Sequence, residues 1–291
     1  MTAVEVAAPA KVNLTLHVTG QRKDGYHLID SLVAFAPVHD RLVIKSGPSL
    51  DLAVTGPESA MVPAGMQNLA LKAAALVQGG TGSSLLLEKR LPVAAGVGGG
   101  SADAAAVLRG LAARHEDLPA NSRTALALGA DVPMCLACRP CRVGGIGEEI
   151  TFVDLPSLPA VMINPRTPVS TAKVFAGLAR KDNGQMPGNL PPDPDVPGVV
   201  EWLSEQRNDL EPVALKEAPV IADVLGLLRA SPGCGLARVS GSGATCFGLF
   251  DDERHAREAE ARIGARHPEW WLASGQLGDQ SELASPRSCP G

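Results

Sequence analysis

A chain of 291 residues with 45% apolar and 20% charged side chains has the composition of an ordinary globular protein and enough length for two domains, each with its own core. The formal net charge of -5 opposes general binding to nucleic acid, which needs clustered Lys and Arg. No apolar run reaches the ~20 residues of a membrane span, so neither nucleic acid nor a membrane is expected as a partner. The N-terminus has no basic flank or continuous apolar stretch of a signal peptide. A cytoplasmic protein is therefore expected, its six cysteines reduced.

From Lys11 to Thr19 the residues alternate, with Val12, Leu14, Leu16 and Val18 against Lys11, Asn13, Thr15 and His17, which predicts a half-buried strand. Strands at 41–46 and 50–55 flank the turn Gly47-Pro48-Ser49 and read as a pair. A helix is predicted over 67–77, stopped by Gly79-Gly80, and then a strand over 84–89. After a glycine-rich loop, 101–115 is rich in helix formers, with Val107, Leu108 and Leu111 on a shared face. A helix capped by Asn121 runs to Leu128 and stops at Gly129, and Asp131-Val132-Pro133 opens another. Pro156 and Pro159 punctuate the chain before an apolar strand at 160–164, which places a boundary between a domain at 1–155 and a second at 156–277. Residues 180–198, with five prolines, read as an exposed loop that carries no chemistry. The remainder predicts a helix at 219–229, strands at 237–239 and 245–250, a helix at 252–265 and a strand at 270–274. That order suits an α+β sandwich with an antiparallel sheet. Residues 278–291, rich in Ser, Pro and Gly, read as a frayed tail.

The glycine-rich loop reads Pro92-Val93-Ala94-Ala95-Gly96-Val97-Gly98-Gly99-Gly100-Ser101-Ala102-Asp103. Four glycines just ahead of a helix expose backbone N–H groups and the positive helix end to an anion, the make-up of a phosphate cradle; a flexible turn is the plainer reading. Ser101 offers a hydroxyl to a phosphate or to Mg²⁺, and Asp103 favours the helix N-terminus. The loop lacks the Lys-Ser/Thr ending of a P-loop and the third glycine of the dinucleotide fingerprint. Cys135, Cys138 and Cys141 have a spacing that invites a metal site, but no fourth ligand lies near them in sequence, so small buried side chains are expected.

The loop resembles the second motif of the GHMP kinases. Ala8-Pro9-Ala10-Lys11-Val12-Asn13-Leu14 is similar to their first motif and Val239-Ser240-Gly241-Ser242-Gly243-Ala244-Thr245 to their third. Within the superfamily the chain resembles the branch acting on 4-diphosphocytidyl-2-C-methyl-D-erythritol. The segments carrying this are Thr19–His27, Leu128–Pro133, Gly144–Glu148 and Arg207–Pro212. It departs from that pattern at Ala94, Val97 and Ala102, where Gly, Leu and Ser are usual.

The resemblance implies a two-domain α+β fold, an N-terminal α/β domain and a ferredoxin-like C-terminal domain, with the active site in the cleft between them and ATP and Mg²⁺ as cofactors. It implies Asp131 as the base and Lys11 beside it, stabilising charge at the reacting oxygen. A plain helix cap is the alternative for Asp131 and a solvated side chain for Lys11. Pro92 to Ala102, Asn68 and Lys89 are expected to bind ATP, with Ser101 on the metal. On the substrate side Tyr26 is expected to stack on cytosine, Phe175 to cover its other face and His27 to read its polar edge. Asn13, Thr167, Gly241, Ser242, Gly243 and Thr245 complete the set. The substrate is then a small molecule with a cytidine diphosphate group, phosphorylated at its 2-hydroxyl. Other GHMP kinases, of homoserine or mevalonate type, and a non-catalytic nucleotide-binding protein are the competing readings.

Overall fold

The computed structural model describes residues 3–78, 82–115, 118, 120–188, 190–192 and 194–290. The glycine pair 79–80, expected to stop the first helix, lies outside them. The N-terminus forms β1 (Ala3–Asn13), followed after a short break by β2 (His17–Gln21), which turns back into β3 (His27–Ser46). The strand expected over 11–19 is therefore the end of one strand and the start of another. They part where Leu14 and Thr15 both donate to the Leu32 carbonyl.

β4 (Asp51–Thr55) does not pair with β3 as the intervening turn suggested. β5 (Ser83–Glu88) lies between them, antiparallel to β3 and parallel to β4. Burial explains the order: Leu85 and Leu87 of β5 are fully buried, whereas β4 has no buried residue and suits the edge. Four helices, α1 (Leu69–Gln78), α2 (Gly99–Arg114), α3 (Ser122–Leu126) and α4 (Val132–Ala137), join one core with this sheet. Alanines at 70, 73, 74, 104 and 105 let α1 and α2 approach closely there. β6 (Cys141–Gly144) and β7 (Glu149–Phe152) extend the sheet from the start of β3.

The second sheet begins with β8 (Leu158–Asn164) and, after α5 (Thr171–Ala176), α6 (Val196–Ser204), α7 (Glu211–Glu217) and α8 (Val220–Arg229), continues with β9 (Cys234–Val239) and β10 (Cys246–Phe250). α9 (Glu253–Arg266) and β11 (Trp271–Leu277) complete it. Its order is β11-β8-β10-β9, all antiparallel. With α8 and α9 as its crossings, this is the ferredoxin-like arrangement expected.

The two sheets share a core, in which Val12, Leu14, Leu32 and Ala34 meet Ala160, Met162, Phe247 and Leu249. The strand at 11–19 is consequently buried on both sides rather than half-buried, its polar residues Lys11, Asn13, Thr15 and His17 included. A bulge between Pro9 and Lys11 flips the alternation of β1. Val4, Val6 and Ala8 belong to the helix-covered core, whereas Val12 and Leu14, of the same parity, belong to the core between the sheets. Lys11 and Asn13 are thereby turned to the side of α2 and α4.

Two segments expected to be loose are anchored. Residues 278–290 fold back on the first sheet, where β12 (Arg287–Cys289) pairs with β1 and Ala284 is buried in its core. Arg109 Nε, on α2, also donates to the Ala284 carbonyl at 3.0 Å. In the Pro-rich loop, Met186 is buried, and its N–H donates to the Asp30 carboxylate at 2.8 Å. A bidentate Arg142–Asp30 pair (2.7 and 2.6 Å) lies behind it.

Candidate active site

Gly98 is the N-cap of α2 at φ +65° and has no side chain to cap it. The N–H groups of Gly99, Gly100 and Ser101 thus stand at the positive helix end without intrahelical acceptors, as an anion site requires. A Cβ at Gly98 would lie 2.7 Å from Lys11 Cγ, so glycine here also lets the lysine pass. Ala94 stands at φ +53°, where a Cβ costs ~1–2 kcal/mol; the glycine usual in the resembling branch carries no such cost.

Other elements fix the loop. The Val97 carbonyl accepts the Lys11 N–H at 3.0 Å, and the Ala95 carbonyl accepts the Thr245 N–H at 3.2 Å. Ser240 Oγ donates to the Gly96 carbonyl and accepts from the Asn13 N–H, both at 3.1 Å. One buried hydroxyl thus joins β1, the glycine loop and the third glycine-rich segment. Sequence reasoning missed Ser240, although it stands inside a quoted motif.

Facing this loop, Lys11 Nζ lies 3.5 Å from Asp131 Oδ2 and 2.5 Å from Asn13 Oδ1. Asn13 is held in turn by donating to Ser31 Oγ at 2.9 Å. Asp131 stands at the N-cap position of α4 but makes no side-chain cap bond there. Its carboxylate, 39% exposed, is therefore open to the cleft while Lys11 is 8% exposed. An acid and an ammonium held against each other beside a phosphate-type cradle can take a proton from an alcohol and offset the charge left on its oxygen.

The cleft has a volume of about 1070 Å³. Lys11, Asp131 and the loop residues Ala94, Ala95, Gly96 and Gly98 to Ser101 line it, and so do Tyr26, His27 and Phe175. Asn13, Gly241 and Ser242 line it as well, as does Thr171, whose hydroxyl lies 2.8 Å from Ser242 Oγ and was not singled out from sequence. His27 and Phe175 stack on each other, centroids 4.8 Å apart and planes 27° apart, while Tyr26 is 60% exposed. One face of Phe175 is thus against His27, and both rings line the cleft with Tyr26. Buried His27 Nε2 has no hydrogen-bond partner among the described residues. Burial, and then the Lys181 charge, hold the ring's pKa below its ordinary 6.5, favouring the neutral form.

Other expected site residues lie elsewhere. Pro92, Val97 and Ala102 are buried, and neither they nor Val93 line the cleft. Asn68 is used as a cap, accepting from the Ala70 N–H at 2.8 Å and donating to the Pro63 carbonyl. Thr245 is fully buried and accepts from Asn164 Nδ2 at 2.9 Å, so it and Gly243, whose neighbours are Val239 and Ile221, buttress the loop from behind. Thr167 does not line the cleft. Lys89, expected among the nucleotide ligands, is 3% exposed and pairs with Asp40 at 2.5 Å and Asp103 at 2.6 Å. Burial, only partly offset by Lys89, pushes the Asp103 carboxyl up to about 7. Asp103 thus answers the lysine rather than the helix end.

The three closely spaced cysteines are buried and unbridged, and burial raises their thiol pKa values, Cys141 to about 12. They behave as small apolar side chains. Among the described residues, the group that brings three metal-type ligands together is Asp251, Asp252 and His255 on the surface.

The GHMP kinase N-terminal domain model matches residues 68–139 and the GHMP kinase C-terminal model residues 198–269. The chain is 52% identical over 290 residues, 98% of its length and 97% of the relative's, to the 4-diphosphocytidyl-2-C-methyl-D-erythritol kinase of Roseobacter denitrificans. It is similar to a crystal structure of 4-(cytidine 5'-diphospho)-2C-methyl-D-erythritol kinase, with 37% identity, a TM-score of 0.75, and 94% of this chain and 99% of that one covered. A mevalonate kinase from L. major, at 16% identity and a TM-score of 0.67 over 95% and 96% of the chains, shares the fold. An ATP-dependent small-molecule kinase of the GHMP superfamily, the chain belongs to the 4-diphosphocytidyl-2-C-methyl-D-erythritol kinase family.

Proposed function

We propose that the cleft binds ATP with its phosphates on the N–H groups of Gly99, Gly100 and Ser101, and transfers the γ-phosphoryl group to the 2-hydroxyl of 4-diphosphocytidyl-2-C-methyl-D-erythritol. The step belongs to the non-mevalonate route to isoprenoid precursors. The observation that carries this reading is the Lys11–Asp131 pair at 3.5 Å, which lines one cleft together with a glycine-rich helix end and the rings of Tyr26, His27 and Phe175. Residues 1–155 supply the loop and the pair, and 156–277 supply Phe175, Gly241 and Ser242.

The donor set fits a nucleotide phosphate, because the helix start has no cap and Gly98 leaves the approach clear. Ser101 would hold Mg²⁺, which would neutralise charge on the phosphates. Asp131 accepts the proton as the hydroxyl oxygen bonds phosphorus and the bond to ADP breaks. Lys11, oriented by Asn13, offsets the charge that develops on that oxygen. His27 Nε2, buried and unpaired, offers a neutral ring to the polar edge of cytosine. Tyr26 and Phe175 supply apolar faces, and base stacking on such faces is worth ~1–3 kcal/mol.

The product distinguishes this reaction from transfer to another hydroxyl. C2 of the methylerythritol carries a methyl group and no hydrogen, so a phosphate on its oxygen shows no three-bond coupling to a proton. The expected result, with Mg-ATP, is a new phosphomonoester ³¹P signal without such coupling. A signal split by neighbouring protons would place the phosphate elsewhere and overturn the regiochemistry.

A further inference from the structure

The phosphate loop starts and ends on one buried ammonium. At its start, Asp40, fully buried on β3, accepts the N–H groups of Arg90 and Leu91 at 2.6 and 2.8 Å through Oδ1. Its Oδ2 receives Lys89 Nζ at 2.5 Å. At the far end, Asp103, one turn into α2 and 4% exposed, receives the same Nζ at 2.6 Å through Oδ2. The ammonium lies 3.0 Å from where a Cβ on Gly99 would stand, directly beneath the first residue of the helix. The Lys89 backbone is fixed too: its N–H donates to the Thr55 carbonyl at 2.7 Å, and its carbonyl accepts the Glu58 N–H at 3.1 Å.

We propose that Lys89 is a positioning residue for phosphoryl transfer, tying the start of the phosphate loop, through Asp40, to the helix on which the loop ends, through Asp103. The lysine does not line the cleft, and its ammonium is already engaged by Asp40 and Asp103, so it acts from behind the loop. Nor does the cluster draw an anion by its charge, since two carboxylates surround one ammonium. Its effect is geometric: it sets the separation of Leu91 and Gly99, and with it the path of residues 92–98 on which the helix-end N–H groups depend. Ser240 and Thr245 hold the same loop from its other side. This inference rests on the phosphate assignment of Gly99 to Ser101.

Asp103→Ala cuts the tie at the helix and leaves Lys89 paired one to one with Asp40, so no buried charge is stranded and the variant should fold. The expected result is a KM for Mg-ATP raised about tenfold, with the KM for the alcohol substrate within about twofold of wild type. Asp103→Asn, which keeps an acceptor for Lys89, should return the Mg-ATP value to within about threefold. An unaltered KM for Mg-ATP in Asp103→Ala would overturn the inference, as would equal losses for both substrates. If Asp103→Ala does not fold, the Asn variant decides by Mg-ADP binding, where a loss beyond about threefold contradicts the tie and a smaller one upholds it. Wild-type protein that fails to bind Mg-ADP would instead refute the phosphate assignment itself.

Discussion

Ser240→Ala removes one hydroxyl that is fully buried and serves two backbone groups of different segments. The Asn13 N–H loses the acceptor at 3.1 Å and the Gly96 carbonyl loses the donor at 3.1 Å. Stranding a buried N–H costs ~1–3 kcal/mol, and losing the second bond adds roughly 0.5–1.5 kcal/mol. A total of about 2–4 kcal/mol follows, and at ~2–4 °C per kcal/mol for a chain of this size the Tm should fall by roughly 4–16 °C. The consequence reaches chemistry because Asn13 holds Lys11 Nζ at 2.5 Å. A shift of ~1 Å in a reacting group can cost on the order of 10²-fold, so kcat should drop by roughly tenfold or more. Differential scanning fluorimetry with steady-state kinetics reads both quantities. A Tm within about 1 °C of wild type, together with unchanged kcat, would refute the reasoning.

Asp131→Asn should leave Mg-ATP binding nearly intact and lower kcat by a factor on the order of 10² to 10⁴, the usual worth of a positioned base; turnover equal to wild type in stopped assays of ADP release would remove it from the mechanism. Gly98→Ala puts a methyl 2.7 Å from Lys11 Cγ at φ +65°, so it should displace the lysine and cut kcat more than it raises the KM for the cytidine substrate. A variant with wild-type kcat would mean that Lys11 need not hold its place. Because burial keeps the His27 pKa below 6.5, the neutral ring persists down to that pH. Calorimetric affinity for cytidine diphosphate should stay level from alkaline pH to 6.5 and weaken only below it, and His27→Gln should remove the weakening. A midpoint above 6.5 would contradict the assignment.

The chemistry of this chain was more legible than its topology. Lys11, Gly98 to Ser101 and Asp131 stand in short motifs whose meaning is local: a glycine before a helix, an acid at a helix start. The cleft brings them together as expected. Lys89 was misread because a lysine before a glycine-rich loop has the same sequence whether it faces a phosphate or a pair of carboxylates. Asp40, which turns it inward, lies 49 residues away. Ser240 escaped notice because its role depends on backbone groups of two distant segments rather than on its own neighbours. The fold erred where register is non-local. The turn at 47–49 looked like a hairpin until β5, with Leu85 and Leu87 buried, took the place beside β3. The polar composition of 278–290 hid a strand whose stability comes from pairing with β1 and from the burial of Ala284. The bulge at Pro9 to Lys11, which aims the Lys11 side chain, left no mark in the even alternation of β1.

The central claim is tested most directly by ADP release from the purified protein with Mg-ATP and, in turn, 4-diphosphocytidyl-2-C-methyl-D-erythritol, mevalonate, homoserine and galactose as acceptors. Turnover with the cytidine compound alone is the predicted result, since only that acceptor carries a cytosine ring for the proposed site at Tyr26, His27 and Phe175. Turnover with another acceptor and not with the cytidine compound would keep the phosphate loop and discard the cytosine site, and no turnover with any of the four would contradict the account.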